Sequence, residues 1–478
     1  MTGIKWLDIS ILIFNSFILF FAVSVMLSYL VLAYISAGAL KNYLKQNRFV
    51  NYKTLLSLPG APYVSLIAPA YNEGLTIKEN VQSLLAINYN NYDVIVVNDG
   101  SKDDSIPILV EAYDLVESEK EYHPTIATKD VKAIYVSRNP AFSKLIVVDK
   151  MNGGKADALN TGINISENPY VVCIDVDCIM DKDVMLKLIK PFMEQSDSRV
   201  IATGGVIRIA NSCIIRSGKI VEVNAPENFL ARIQVLEYLR AFILGRMAWT
   251  RMDGLLLISG AFGMFDRDIV LKAGGYNHKT VGEDMELVVR MRRYMIDQKI
   301  KHAVQYIPDP LCWTEAPESY DILRKQRSRW TRGSMETLWI HRKMMFNPKY
   351  GILGLLSFPY WLLYEYLAPI IEFTGLIFTI ILVVLGLLNW TYFLLFVLFV
   401  YSFAVMFSML ALYAEEATYR RYLKTKDLKK LLLMAFIEPI IFHPFTVYAA
   451  LRGNWEKIRG TKGWGDMTRK GFKKEVKK

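Results

Sequence analysis

The chain has 478 residues, 53% of them hydrophobic, and a formal net charge of +11. That length exceeds one compact core and that apolar content exceeds an ordinary soluble protein, so a purely soluble single-domain enzyme is excluded and membrane segments are expected. Basic residues flanking membrane helices and facing anionic lipid account for the charge, which leaves no case for nucleic acid as a partner.

Residues 9–40 carry no charged side chain, a run longer than the roughly 20 residues that cross a bilayer and too long for a cleaved signal peptide. Lys41, Lys45, Arg48 and Lys53 follow it, against Lys5 before it, and the positive-inside rule puts what comes next in the cytosol. Residues 1–53 thus form an N-terminal transmembrane helix and basic linker. From residue 54 to 320 short apolar runs (YVSLIAPAY, YDVIVVNDG, KAIYVS, LIVVDK, PYVVCIDVD) alternate with helical stretches at 76–87, 155–166 and 182–194. That alternation predicts a mostly parallel sheet covered on both faces, with sites at the carboxyl ends of strands.

Residues 321–350 hold a basic aromatic helix and 351–414 an apolar hairpin turning near Asn389 and Trp390. Residues 415–455 begin with Arg and Lys and end in an apolar run, 431–451, interrupted by Glu438-Pro439 and His443-Pro444. If that run crossed, the basic tail 456–478 would lie outside, so a bent interfacial or re-entrant segment is expected ahead of a fourth crossing. Glu365 and Glu372 are costly facing lipid and suit a water-filled channel or a helix contact. Cys173, Cys178, Cys213 and Cys312 lack metal-ligand spacing and are expected as reduced thiols.

Acidic residues collect where apolar runs end. Asp99, in V-N-D-G-S, also fits an ordinary turn. In VVCIDVDCIM, residues 171–180, Asp175 and Asp177 are two apart and share one face of an extended chain. They could cap a helix near Asp181. Like charges at that spacing are nevertheless costly unless a cation neutralises them, as a hard divalent ion bridging a diphosphate does. VGEDMELVVRMRR puts Glu283 and Asp284 at a helix start, where acids complement the helix dipole or one acts as a general base. RKQRSRWTRG surrounds Trp330 with Arg324, Lys325, Arg327, Arg329 and Arg332. Such a helix suits the membrane interface, and Arg329 with Trp330 equally suits a phosphate and a sugar ring.

The ordered series P-x-Y-N-E (Pro69, Tyr71, Asn72, Glu73), V-N-D-G-S, G-K-A-D-A-L-N (Gly154 to Asn160), D-V-D, G-E-D and Q-R-S-R-W resembles the family 2 glycosyltransferases of the GT-A fold. Q-x-x-R-W at Gln326, Arg329 and Trp330 is similar to the signature of their processive membrane branch, the cellulose, chitin, hyaluronan and poly-N-acetylglucosamine synthases. The resemblance implies an α/β fold: a cytosolic GT-A (Rossmann-like) domain with N- and C-terminal transmembrane helices and amphipathic interfacial helices, multi-pass in the plasma membrane. By the same resemblance, Tyr71, Glu73 and Asp99 hold the uridine, Asp99 on the base, with Lys155 by the nucleotide. Asp175 and Asp177 engage the nucleotide sugar and its Mg²⁺ or Mn²⁺, Asp177 being the surer metal ligand. Asp284, beside Glu283, is the general base for the acceptor hydroxyl. Gln326, Arg329 and Trp330 hold the pyrophosphate and the acceptor end, and Phe262 and Gly263 line the acceptor site. RGTKGWGDMTRKG, residues 459–471, resembles the loop that closes over UDP, with Trp464, Gly465, Thr468 and Arg469 as contacts.

The expected activity is processive, inverting polymerisation of a UDP-sugar onto a growing polysaccharide that then passes through the membrane. Arg208 to Gln234 is a longer stretch than the corresponding part of a poly-N-acetylglucosamine synthase, so UDP-glucose and a β-glucan are expected first and UDP-N-acetylglucosamine second. A non-processive lipid glycosyltransferase, which usually lacks Q-x-x-R-W, and an inactive scaffold are the alternatives. Membrane lipid is one partner, and the small membrane part leaves room for an accessory subunit or a second copy of the chain.

Overall fold

The computed structural model describes residues 5–460 apart from 49, 51, 53–59, 120, 195, 196 and 217. Among these residues twelve strands form in chain order: β1 (Val64–Ala70), β2 (Tyr92–Asn98), β3 (Leu115–Glu117), β4 (Val131–Ser137), β5 (Leu145–Lys150), β6 (Tyr170–Ile174), β7 (Ile179–Met180), β8 (Arg199–Ile209), β9 (Ile214–Arg216), β10 (Lys219–Glu222), β11 (Phe262–Asp266) and β12 (His302–Thr314). Ten make one sheet in the order β3-β4-β5-β2-β1-β6-β11-β8-β12-β7, and β9 and β10 pair apart from it.

The sheet is mixed rather than mostly parallel. β5, β2, β1 and β6 run parallel, but β11 enters antiparallel between β6 and β8, and β3, β4 and β7 are also antiparallel to their neighbours. The parallel strands are near-continuous runs of Val, Ile and Leu because both faces are covered; β2 is buried at six of its seven positions. The chain leaves β1 for β2 on one side and returns to β6 on the other. That reversal opens a crevice at the carboxyl ends of these strands. The register pairs Ala70 with Asn98 and Ile67 with Cys173, so the residues after each strand, Tyr71, Asp99 and Asp175, emerge at one edge.

Among the described residues, four helices are long and apolar enough to cross a membrane: Trp6–Asn47, Leu353–Val384, Trp390–Thr418 and Thr425–Ile458. The expected bend at residues 431–451 is corrected. Pro439 and Pro444 lie inside one continuous helix, Thr425–Ile458. Each proline removes one helical hydrogen bond, and packing against neighbouring helices keeps the helix continuous. Both ends of this helix touch the α/β domain: Lys430 pairs with Glu227 at 2.8 Å near its start, and Lys457 pairs with Glu336 at 2.5 Å near its end. Between them Arg240 grips Glu438 through two bonds of 2.6 Å. A helix of 34 residues is about 50 Å long, so it runs along the domain rather than away from it. A further tie between domain and hairpin is a buried ion pair, Arg208 of β8 with Glu415.

Candidate active site

Asp99 follows β2 and is only 4% exposed. Its Oδ1 accepts from Lys150 Nζ at 2.8 Å and from the Gly153 N–H at 2.9 Å, and its Oδ2 accepts from the Gly154 N–H at 2.7 Å. Lys150, fully buried at the end of β5, also pairs with Asp157 at 2.6 Å. One cation thus holds two buried carboxylates and fixes the loop that feeds the helix Lys155–Ile165. Sequence reasoning missed Lys150, because a lysine ending a strand reads as surface. The Asp99 carboxylate is therefore an organiser of the loop, whatever further contact it makes.

On the other side of β1, the Asp175 N–H donates to Ala261 O at 2.9 Å, and the Asp175 carboxylate pairs with Lys155. Lys155 Nζ also donates to Gly260 O at 2.8 Å. Burial pulls the Lys155 ammonium down, but Asp175, Glu283 and Asp284 outweigh it and hold the pKa above the ordinary lysine value. Asp175 and Asp177 do not cap the next helix; Asp181 takes the Asp183 N–H instead, at 3.0 Å.

The oxygens of Asp175 and Asp177 and the sulfur of Cys178 lie within 4.8 Å of one another. The two carboxylates fit a hard divalent ion such as Mg²⁺ or Mn²⁺. Cys178 fits such an ion poorly as a third ligand, because a soft thiol suits Zn²⁺ or Cu(I) better than Mg²⁺ or Mn²⁺; a hydrogen bond with Cys312 and burial push its thiol well above the usual range.

Glu283 and Asp284 open the helix Glu283–Asp297. Burial and the neighbouring Asp284 push Glu283 up to about 7, against the pull of Lys155 and Arg329. The Asp284 carboxylate lies against backbone: a Cβ added at Gly260 would fall 2.6 Å from Asp284 Oδ2, so glycine is required for that approach. Another glycine contact sets the helix as a whole. A Cβ on Gly282 would sit 2.6 Å from Gly333 Cα, so the acidic helix meets the helix Tyr320–Ile340 backbone to backbone. That contact brings the E-D pair to Gln326, Arg329 and Trp330. Glu336, one turn on, accepts from Thr280 Oγ1 at 2.7 Å and the Val281 N–H at 3.0 Å and so steadies the loop before Asp284. Arg327 stacks over Trp330 at 3.9 Å while pairing with Glu237 at 2.5 Å, and Trp330 stays 43% exposed.

The raised Glu283 predicts a pH effect. Its folded pKa, about 7, lies above its unfolded value, so its contribution to stability is full below the unfolded pKa and is lost as pH rises through the folded one. Thermal unfolding of Glu283→Gln should lack the fall in Tm that the wild type shows from about pH 5 to about pH 8. Parallel profiles would mean that Glu283 does not hold the proton.

One cavity of about 2270 Å³ joins these groups. Tyr71, Glu73, Asp99, Lys155, Asp175, Asp177, Glu283, Asp284, Gln326, Arg329 and Trp330 all line it. Phe262 and Gly263 do not line it, which corrects the expected acceptor pair. Both are buried inside β11, facing Ile174 and Cys173 of β6, and Ser259, Gly260 and Ala261, just before the strand, take the cavity wall. Trp464, Gly465, Thr468 and Arg469 lie outside the described residues. The cavity continues past Glu365, Glu372 and His443 to Asn389 at the turn of the hairpin. Glu372 accepts from His443 there at 2.7 Å.

Residues 61–333, over half of the chain, match the family described as Glycosyltransferase like family 2. A poly-beta-1,6-N-acetyl-D-glucosamine synthase of Staphylococcus epidermidis is 29% identical over 277 residues, covering 58% of this chain and 55% of that protein. Its counterpart in Staphylococcus aureus strain COL is 28% identical over 290 residues, covering 60% and 58%. The chain thus matches little more than half the length of these curated relatives. Among solved structures, a mannosyltransferase of Pyrobaculum calidifontis in complex with GDP-Man and Mn²⁺ aligns with a TM-score of 0.49 and 16% identity, over 92% of this chain and 100% of that one. On the match over residues 61–333, the chain belongs to the glycosyltransferase-like family 2.

Proposed function

We propose that the protein polymerises N-acetylglucosamine from UDP-N-acetylglucosamine into a β-linked polysaccharide and passes the product through its own membrane helices. The observation that carries this reading is the continuity of the cavity, from the carboxylates at the sheet edge to the far turn of the membrane hairpin. A single-transfer enzyme has no need of that path. The relatives named above are synthases of an N-acetylglucosamine polymer, which supports that monomer over glucose, the one expected first.

In this reading Tyr71 and Glu73 flank the uridine, and Asp99 and Lys150 hold the Gly153-Gly154 loop beside the nucleotide. Asp175 and Asp177 would hold Mg²⁺ or Mn²⁺, an ion that stabilises negative charge on a departing diphosphate. Lys155 lies beside that group, and Gln326 and Arg329 reach it from the basic helix. Asp284 takes the proton of the acceptor hydroxyl, whose oxygen attacks C1 of the sugar as the bond to UDP breaks on the opposite side. Attack in line on an α-linked donor inverts the centre and gives a β-linkage. Trp330, exposed in the cavity, offers a ring face to the acceptor sugar.

The test supplies membranes containing the protein with radiolabelled UDP-N-acetylglucosamine, UDP-glucose and other UDP-sugars, with Mg²⁺ or Mn²⁺. The product is sized and digested with linkage-specific glycosidases. High-molecular-weight product from UDP-N-acetylglucosamine alone is expected. Polymer from UDP-glucose instead would overturn the monomer, and lipid-extractable product would overturn polymerisation.

A further inference from the structure

Among the described residues, most buried or half-buried arginines are matched with a carboxylate, as Arg208 is with Glu415, Arg240 with Glu438, Arg292 with Asp253 and Arg327 with Glu237. Arg246 is different. Among the described residues no carboxylate pairs with it, and its Nη1 is buried without a hydrogen-bond partner. Its guanidinium lies 4.0 Å over the Phe242 ring and 5.9 Å from the centre of the Tyr306 ring, and it lines the cavity. An arginine held in this way loses hydration and gains no anion, a cost that something else must offset.

The surroundings say what that partner is. Arg246 ends a π-helical stretch, Arg240–Arg246, inserted between two α-helical segments; such insertions cluster at functional sites. The stretch packs on the N-terminal membrane helix, where Ser36 donates to Ile243 O at 2.5 Å. Arg246 therefore stands where the cavity passes from the catalytic domain to the membrane segments. Just beyond it, Trp249, Tyr360 and Tyr364 line the same wall, with ring centres 4.9 Å and 5.2 Å apart in succession. Asp284 is near enough to act on the Arg246 charge. A guanidinium donates in up to five directions and accepts in none, so its partner must present oxygens. Trp249 and Tyr360 are buried and these rings meet edge to face, so they give that wall an apolar lining.

We infer that Arg246 is an acceptor-binding residue, donating hydrogen bonds to oxygens of the polysaccharide just behind its growing end, on the membrane side of Asp284. This rests on the polymerase reading above. It adds a positive clamp that holds the nascent chain in place while UDP leaves and a new donor enters. A neutral sugar suits it, because hydroxyl and acetamide oxygens satisfy the guanidinium without the tight ion pair that would stop the chain from sliding.

The test titrates the full chain in detergent, with UDP and Mg²⁺ present, with a labelled β-1,6-linked N-acetylglucosamine pentasaccharide and, in parallel, cellopentaose. Arg246→Ala should weaken pentasaccharide binding roughly tenfold or more, as expected for loss of a charge-assisted hydrogen bond. Arg246→Lys should fall between the two, and the Kd for UDP should be unchanged in both variants. Pentasaccharide affinity within twofold of wild type, or a loss of UDP affinity, overturns the assignment. If the wild type binds only cellopentaose, the monomer reading fails, and Arg246 is judged by the same criterion on that oligomer. Binding of neither oligomer by the wild type overturns the acceptor role.

Discussion

Asp284→Asn should abolish sugar transfer, lowering it by roughly a thousandfold or more, while UDP binds nearly as well as to the wild type. The magnitude lies within the usual contribution of a general base. The geometry gives the reason for the selectivity. Asp284 lies against the Gly260 backbone and across the cavity wall from the loop organised by Asp99 and Lys150, so removing its charge leaves the nucleotide loop intact. Asparagine keeps the size and the hydrogen bond that Asp284 Oδ1 accepts from the Met285 N–H at 2.8 Å, so the helix start should persist. Turnover is read by labelled donor incorporation and UDP affinity by calorimetry. A variant that still polymerises would remove Asp284 from the role of base.

The largest effect on stability is expected at Glu415→Ala. Arg208 is 2% exposed and Glu415 is fully buried, so deleting the acid strands a guanidinium between sheet and hairpin. Breaking such a pair from one side costs about 3–5 kcal/mol, whereas replacing both partners with apolar residues of similar size is often neutral. Glu415→Ala should therefore sharply lower the Tm of the detergent-solubilised protein, and Arg208→Met with Glu415→Leu should recover most of the loss. Equal damage from the single and double variants would mean that the pair serves something other than mutual compensation. Because the pair joins β8 to the helix Trp390–Thr418, its loss should also loosen the domain from the membrane part.

What the sequence made legible follows from where its unusual residues fall. Asp99, Asp175 and Tyr71 could be placed together because buried runs of Val and Ile announce parallel strands, and sites form at their carboxyl ends. The acidic helix starts at Glu283, as its pattern suggests. Register was not legible. The S-G-A-F-G-M-F stretch does not show that the strand begins at Phe262, and that boundary moved the cavity wall back to Ser259, Gly260 and Ala261. β12 was hidden because Pro308 and Pro310 read as breakers; the ladder absorbs them with register shifts around Pro310. The prolines of the last helix misled in the same direction. Lys150, Arg246 and the meeting of Gly282 with Gly333 carry no local signal at all. Each acquires meaning only from the surroundings that folding brings to it, such as Asp99 and Asp157 for Lys150.

A polymerase whose product leaves through its own cavity should export that product in sealed proteoliposomes carrying the purified full chain. Vesicles with the catalytic domain facing outward receive UDP-[³H]-N-acetylglucosamine and Mg²⁺, and the product is then exposed to an added β-N-acetylglucosaminidase. High-molecular-weight polymer that resists the enzyme until detergent opens the vesicles is expected. Polymer fully digested without detergent, or label recovered only in lipid extracts, would contradict that export.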